Sequence, residues 1–256
     1  MRFLALLKRE LQALFLSPIA TVVFTVFLFF NGLLLSVILF NATQGVPMAS
    51  SQIYGGWLGS GFTWIGMALY LPVITMRLMS EEKRQGSLEL LLTTPISDLS
   101  VILSKWLGAF LFYLALWSPT AIIFLFLRLY APLDYRLYLC SMLMIALIGA
   151  LWCAIGLLFS TLTSHMIISA LLTGIAYIGS LLAGYMATAL EHAFPGTAGG
   201  WQSSLIALGK LLNIFDAMEN FAKGAVDSRV VVFHLSLTAL CLLLTHQLLA
   251  ARRYRG

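Results

Sequence analysis

The sequence predicts an all-α integral membrane protein with six transmembrane helices and both termini cytoplasmic. Three observations carry that prediction. Apolar residue types fill 61% of the 256 positions and charged ones only 10%, and mean hydropathy is +0.96. A soluble domain carries roughly 25% charged residues, so too little polar surface is present to cover a body in water. Formal charge is also absent between Glu10 and Arg77, Lys105 and Arg128, Arg136 and Glu191, and Arg229 and Arg252. A charge at the centre of a spanning helix costs about 2.5–3.5 kcal/mol, which is why a bilayer selects such gaps. Finally, the basic residues divide unevenly once the gaps are read as spans. The composition excludes soluble enzymes, disordered chains and disulfide-rich secreted scaffolds.

The first element is a short amphipathic helix over residues 2–16. Phe3, Leu7, Leu11 and Leu14 fall at helical spacing, with Lys8, Arg9, Glu10 and Gln12 on a wet face, and Ser17-Pro18 ends it. It reads equally as an anchor on the inner leaflet or as a lever from a cytoplasmic partner to the first span. The long gap that follows is broken by polar, Gly and Pro positions at 41–60, giving spans near 19–40 and 62–79. The first apolar run exceeds the 7–15 residues of a signal-peptide core, so its retention is expected. Gly55-x-x-x-Gly59 precedes span two and suits close helix approach. Gly59-Ser60-Gly61 faintly suggests a nucleophile turn, but it falls on the outer side with no histidine beside it.

Residues 81–95, EEKRQGSLELLLTTP, form a compact cytoplasmic helix with its own punctuation. Ser80 is positioned to cap a first turn carrying Glu81 and Glu82, and Gly86 permits a turn. Ser87 is a second cap, Glu89 lies in the next first turn, and Pro95 marks the end. Leu88, Leu91 and Leu92 share a face on too little helix to be stable in water. The leaflet, the span ends or a partner protein must receive them. Ser97-Asp98 reads as the cap of the third span, with Lys105 snorkelling to the interface.

Spans three and four lie near 106–127 and 137–159, and 160–165 separates the latter from span five at 166–189. Ala170, Gly174, Gly179 and Gly184 recur along span five, as packing positions or as a dimer seam. The outer segment 192–229 opens with Pro195, Gly196, Gly199 and Gly200. Trp201, Leu205, Leu208, Leu212 and Phe215 then form an amphipathic stripe that stops near Asp216, as a lid, a gate or a docking surface. Span six is near 230–251. Asn31, His234 and His246 are read as hydrogen-bonded within the bundle. Cys140, Cys153 and Cys241 are read as packing residues.

Six spans put both termini on one side. With that side cytoplasmic, ten Lys and Arg fall inside and five outside, while the acids split evenly. This is the positive-inside bias, and the net +5 then faces anionic lipid heads.

The run Glu82-x-x-x-Gly86-Ser87-Leu88-Glu89, followed by leucines and Thr94-Pro95, resembles the cytoplasmic loop of type-2 ATP-binding-cassette (ABC) permeases. The basic helix ending in Ser-Pro and the long outer segment before span six extend the resemblance through the chain. Residues 220–227, NFAKGAVD, resemble in particular the gliding-motility-type branch. The resemblance implies that the loop is a coupling helix docking on a separate ATPase. Glu81, Glu82, Lys83, Arg84, Gly86, Ser87, Leu88, Glu89, Leu91 and Leu92 would then make that contact. It also implies a two-fold permease dimer, with spans 19–40 and 166–189 at the midline and Ala170, Gly174, Gly179 and Gly184 in the seam.

No catalytic, cofactor or metal residue is expected in this chain; ATP and magnesium belong to the partner. The sequence holds no G-x-x-x-x-G-K-[ST] phosphate loop, and Gly209-Lys210 is the nearest fragment. The implied function is a permease subunit of an ABC exporter in a bacterial inner membrane. The alternative is a non-transporting anchor of an ATPase-driven envelope or motility complex. Expected partners are ABC ATPase subunits, a second permease copy or related permease, an extracytoplasmic accessory protein and membrane lipid, with no nucleic acid.

Overall fold

The computed structural model describes residues 2–44, 49–86, 97–129, 133–193, 209 and 213–253. Helix α1 (Arg2–Phe15) meets α2 (Pro18–Thr43) at an elbow where Ser17 Oγ accepts the Ile19 N–H at 3.3 Å. Helices α3 (Ser50–Leu58), α4 (Gly61–Thr75) and α5 (Ser80–Arg84) follow. Then come α6 (Asp98–Arg128), α7 (Tyr135–Leu162), α8 (Met166–Ala193), α9 (Ile214–Ala222) and α10 (Ser228–Arg253). Six stretches are long and apolar enough to cross a membrane. Five are single helices; the other, Ser50–Arg84, is composite.

Helix α7 is the central post, packed against α3, α4, α6, α8, α9 and α10. Its most apolar window is 67% buried, against 17% in α2 and α8. Glycines explain how neighbours approach it so closely. The Tyr113 ring of α6 occupies the space a side chain at Gly149 would need, and Thr75 of α4 does the same at Gly156. Tyr113 and Trp106 then donate to the Ile145 and Ala150 carbonyls at 3.1 and 3.0 Å, satisfying polar atoms that lipid would leave bare. The exposed faces of α2, α8 and α10 are rows of Leu, Ile, Val and Phe, as expected against acyl chains.

The second span differs from its sequence reading. Residues before Phe62 read as a break, yet α3 is helical and its Tyr54, Trp57 and Leu58 are fully buried. The division at 59–60 is enforced by capping. Ser60 Oγ accepts the Thr63 N–H at 3.3 Å, and Trp64 Nε1 donates to the Gly59 carbonyl at 3.1 Å. Ser60 is therefore a helix cap, and no nucleophilic arrangement surrounds it among the described residues.

The outer segment also differs. Residues 201–208 and 210–212, which hold most of the predicted stripe, lie outside the described residues. The stripe is read from sequence as stopping near Asp216, and a helix, α9, begins at Ile214 and runs on through Glu219. Asn213 starts it, its Oδ1 accepting from Phe215 and Asp216 N–H at 3.1 and 3.3 Å. Its buried face is Ile214, Ala217, Met218, Phe221 and Ala222, which turns Glu219 outward to pair with Lys223 at 2.5 Å. Two ends result: one carries α1 and α5, the other α3 and α9.

Candidate functional site

Among the described residues, the charged side chains named from sequence gather at the α1 end. Ser80, Glu81, Glu82, Lys83 and Arg84 make up α5, a single short turn that Gly86 closes with φ of 71°. That left-handed angle suits glycine, which has no Cβ to clash. Ser87, Leu88, Glu89, Leu91 and Leu92 lie outside the described residues.

Ser80 does not cap this helix. The cap position is Met79, and the Ser80 hydroxyl turns back to donate to the Met76 carbonyl. The cap comes instead from another helix. Ser160 of α7 presents its Oγ to the N–H groups of Met79 and Ser80, at 2.9 and 3.0 Å, and donates to the Met76 carbonyl at 3.2 Å. One buried hydroxyl thus satisfies two backbone donors that the bend at 76–79 would otherwise leave orphaned. Lys83 adds a second tie, donating to the Thr161 carbonyl. The bend is fastened to the end of the central post.

On its other side α5 enters an ion cluster. Lys105 Nζ lies 2.9 Å from Glu82 Oε1 and 3.2 and 3.3 Å from the two oxygens of Glu10. Arg9 reaches Glu10 at 2.8 Å and Glu82 at 3.2 Å. Two cations meet two carboxylates, drawn from α1, α5 and α6. The Lys105 side chain is 2% exposed, so it does not snorkel to the interface as the sequence suggests. Burial explains the reversal: an ammonium withdrawn from water needs close counter-charges, and two are present. Glu10, assigned from sequence to the wet face of α1, is correspondingly buried. The hydrogen bond with the Glu10 carboxylate holds the Arg9 guanidinium above its ordinary range against the opposing effect of partial burial, and the charge of Glu82 adds to the rise.

Helices α1 and α6 come close because Gly108 sits at their crossing, where a Cβ would stand 3.2 Å from Glu10 Cβ. Phe15, Phe24 and Phe112 then close the elbow, their rings 4.9–6.4 Å apart. The sequence reading missed Glu10, Lys105 and Ser160. The available signal for Lys105 was its depth: it falls about two turns inside a helix that begins at Asp98, where an ionisable side chain points to a buried partner.

The small residues of α8 do not share one face toward the outside. Gly174 faces Pro72 of α4, and Gly184 is buried against Asn213. Ala170 is half-buried, and Gly179 is exposed with nothing beside it within 4 Å. His234 is buried, its Nδ1 2.8 Å from the Val230 carbonyl, while His246 lies several turns along the same helix. Among the described residues no group of His, Cys, Asp and Glu is placed to hold a metal ion.

Comparison with curated proteins gives no match. Comparison with protein families matches the one described as ABC-2 family transporter protein over residues 5–250. That stretch runs from the first turn of α1 into the last turn of α10, so it takes in the elbow, the ion cluster and every spanning helix. The chain belongs to the ABC-2 family and is a multi-pass membrane permease component of an ABC transporter.

Proposed function

We propose that this chain is the permease half of a bacterial inner-membrane ABC exporter, driven by a separate ATPase that docks on α5 and the segment following it. The permease works as a two-fold pair with a second copy or a related permease, and the α1 end faces the cytoplasm. It carries no catalytic step; ATP hydrolysis with magnesium falls to the partner.

The observation that supports this reading is the attachment of α5 on three sides. Ser160 and Lys83 tie it to α7, Lys105 ties it to α6, and Arg9 ties it to α1. A push on α5 is therefore delivered to α1 and to the third and fourth spanning helices together. Shifting a two-state gate from 1:99 to 99:1 needs about 5.5 kcal/mol of differential binding. Such a difference is transmissible only through contacts that hold under load, and buried ion pairs with a shared hydroxyl clamp meet that need.

The test is purification of tagged protein in mild detergent from membranes where the cognate ATPase is expressed. Mass spectrometry is expected to find a phosphate-loop ATPase in equal copy number, and its absence would overturn the reading. Glu89→Arg is expected to abolish ATPase recovery while leaving the six-helix fold intact by circular dichroism. Unchanged recovery would remove the docking role of this segment.

A further inference from the structure

Between the elbow and α5 the α1 end holds a cavity of about 660 Å³, within the usual size range of sites for small organic ligands. Its lining changes chemistry with depth. Arg9, Arg77, Glu81 and Lys105 stand at one side; Val23 and Phe112, both buried, line the side toward the spans. Phe112 is about two turns beyond Lys105 in α6, which places the apolar wall roughly 10 Å deeper than the charges. A cavity charged at the edge and apolar within suits an amphiphile.

Charge narrows the ligand further. The cations Arg9, Arg77 and Lys105 are matched in the lining by Glu10, Glu81 and Glu82, so no net charge is offered. Arg9 and Lys105 are engaged in the ion cluster. Arg77 retains bonding capacity. Its guanidinium donates to Ser17 Oγ at 3.3 Å, but its Nε lies 4.0 Å from Glu81 and is buried with no acceptor among the described residues. The Arg77 side chain is 37% exposed and carries N–H donors beyond the one used on Ser17, and these fit a phosphate oxygen. Beside it the half-buried Glu81 accepts a long bond from Gln85 at 3.4 Å and can receive an ammonium.

We infer that this cavity binds a zwitterionic phospholipid, with the phosphate on Arg77, the ammonium on Glu81 and the acyl chains against Val23, Ile74 and Phe112. An anionic head would add unbalanced charge beside Glu81 and Glu82. A water-soluble phosphoamine would leave the apolar wall wetted. The site needs no group from the ATPase, although its Glu81 belongs to the helix on which the ATPase is proposed to dock.

The test uses purified full-length protein in micelles and a phosphatidylethanolamine probe with a photoreactive acyl chain. Crosslinks are expected on peptides containing Val23 and Phe112. Excess unlabelled phosphatidylethanolamine should suppress them; phosphatidylglycerol and glycerophosphoethanolamine should not. Arg77→Gln is expected to reduce this labelling about tenfold, the loss of one charge-assisted contact, whereas Arg229→Gln at the opposite end leaves it unchanged. Labelling confined to outward positions such as Phe29 and Val37 would overturn the site. Equal competition by phosphatidylglycerol would overturn the zwitterion, and competition by glycerophosphoethanolamine would replace the lipid with a soluble ligand. The competition arms use the wild-type protein and so stand whether or not a variant folds.

Discussion

At Lys105 an ammonium is enclosed by two carboxylates, so removing it leaves Glu10 and Glu82 without the buried cation that lies between them. Breaking a buried pair on one side costs about 3–5 kcal/mol, because the remaining charge stays out of water. Lys105→Met is expected to lower stability by that order in denaturant titration of the purified protein. Arg9→Gln should cost less than about 1 kcal/mol, since its side chain is 52% exposed and water screens its pairs. A larger effect at Arg9 than at Lys105 would move the centre of the cluster to the surface. The sequence shows these charges but not their pairing. The charge-free gap starts at residue 106 and makes Lys105 a terminal residue reaching for water; only the helix start at Asp98 puts it inside the helix.

Among elements, α1 shows what periodicity conveys and what it conceals. The spacing of Phe3, Leu7, Leu11 and Leu14 correctly marks a short helix ended at Ser17-Pro18. It also puts Glu10 on the wet face, because patterning by residue type has no means of recognising an acid whose partner lies in another helix. The partner is reachable only because Gly108 lets α1 lie against α6. Gly108→Val is expected to lift α1, opening the Lys8–Arg9 site to trypsin and raising the cleavage rate about tenfold, as local unfolding of a weakly held segment does. Cleavage at the wild-type rate would mean that the crossing tolerates a side chain. Helix α3 was hidden for a different reason. Its glycines and polar residues look like a loop, and its helical form is held by burial of Tyr54, Trp57 and Leu58, a tertiary effect with no local signature.

For the whole molecule, the number of spans was legible because charge-free gaps reflect insertion energetics, which act on each segment separately. The arrangement of those spans was not, because apolar helices carry no stripe that tells a lipid face from a packed one. Gly149 and Gly156 mark the central post only after Tyr113 and Thr75 are seen above them. The bias in basic residues makes a separate prediction about the two ends. Cysteines placed singly at the exposed positions Gln12 and Asp227 should differ toward an impermeant maleimide applied to intact cells. Asp227→Cys is expected to label at once and Gln12→Cys only after permeabilisation. The reverse pattern would invert the molecule in its membrane.

The ion cluster also has an order in time. Glu10 is synthesised 95 residues before Lys105, and Glu82 likewise precedes it. At about 5–20 residues per second both acids have left the ribosome seconds before the lysine follows. The buried cation that pairs with both carboxylates is thus delivered last, after each of its counter-charges.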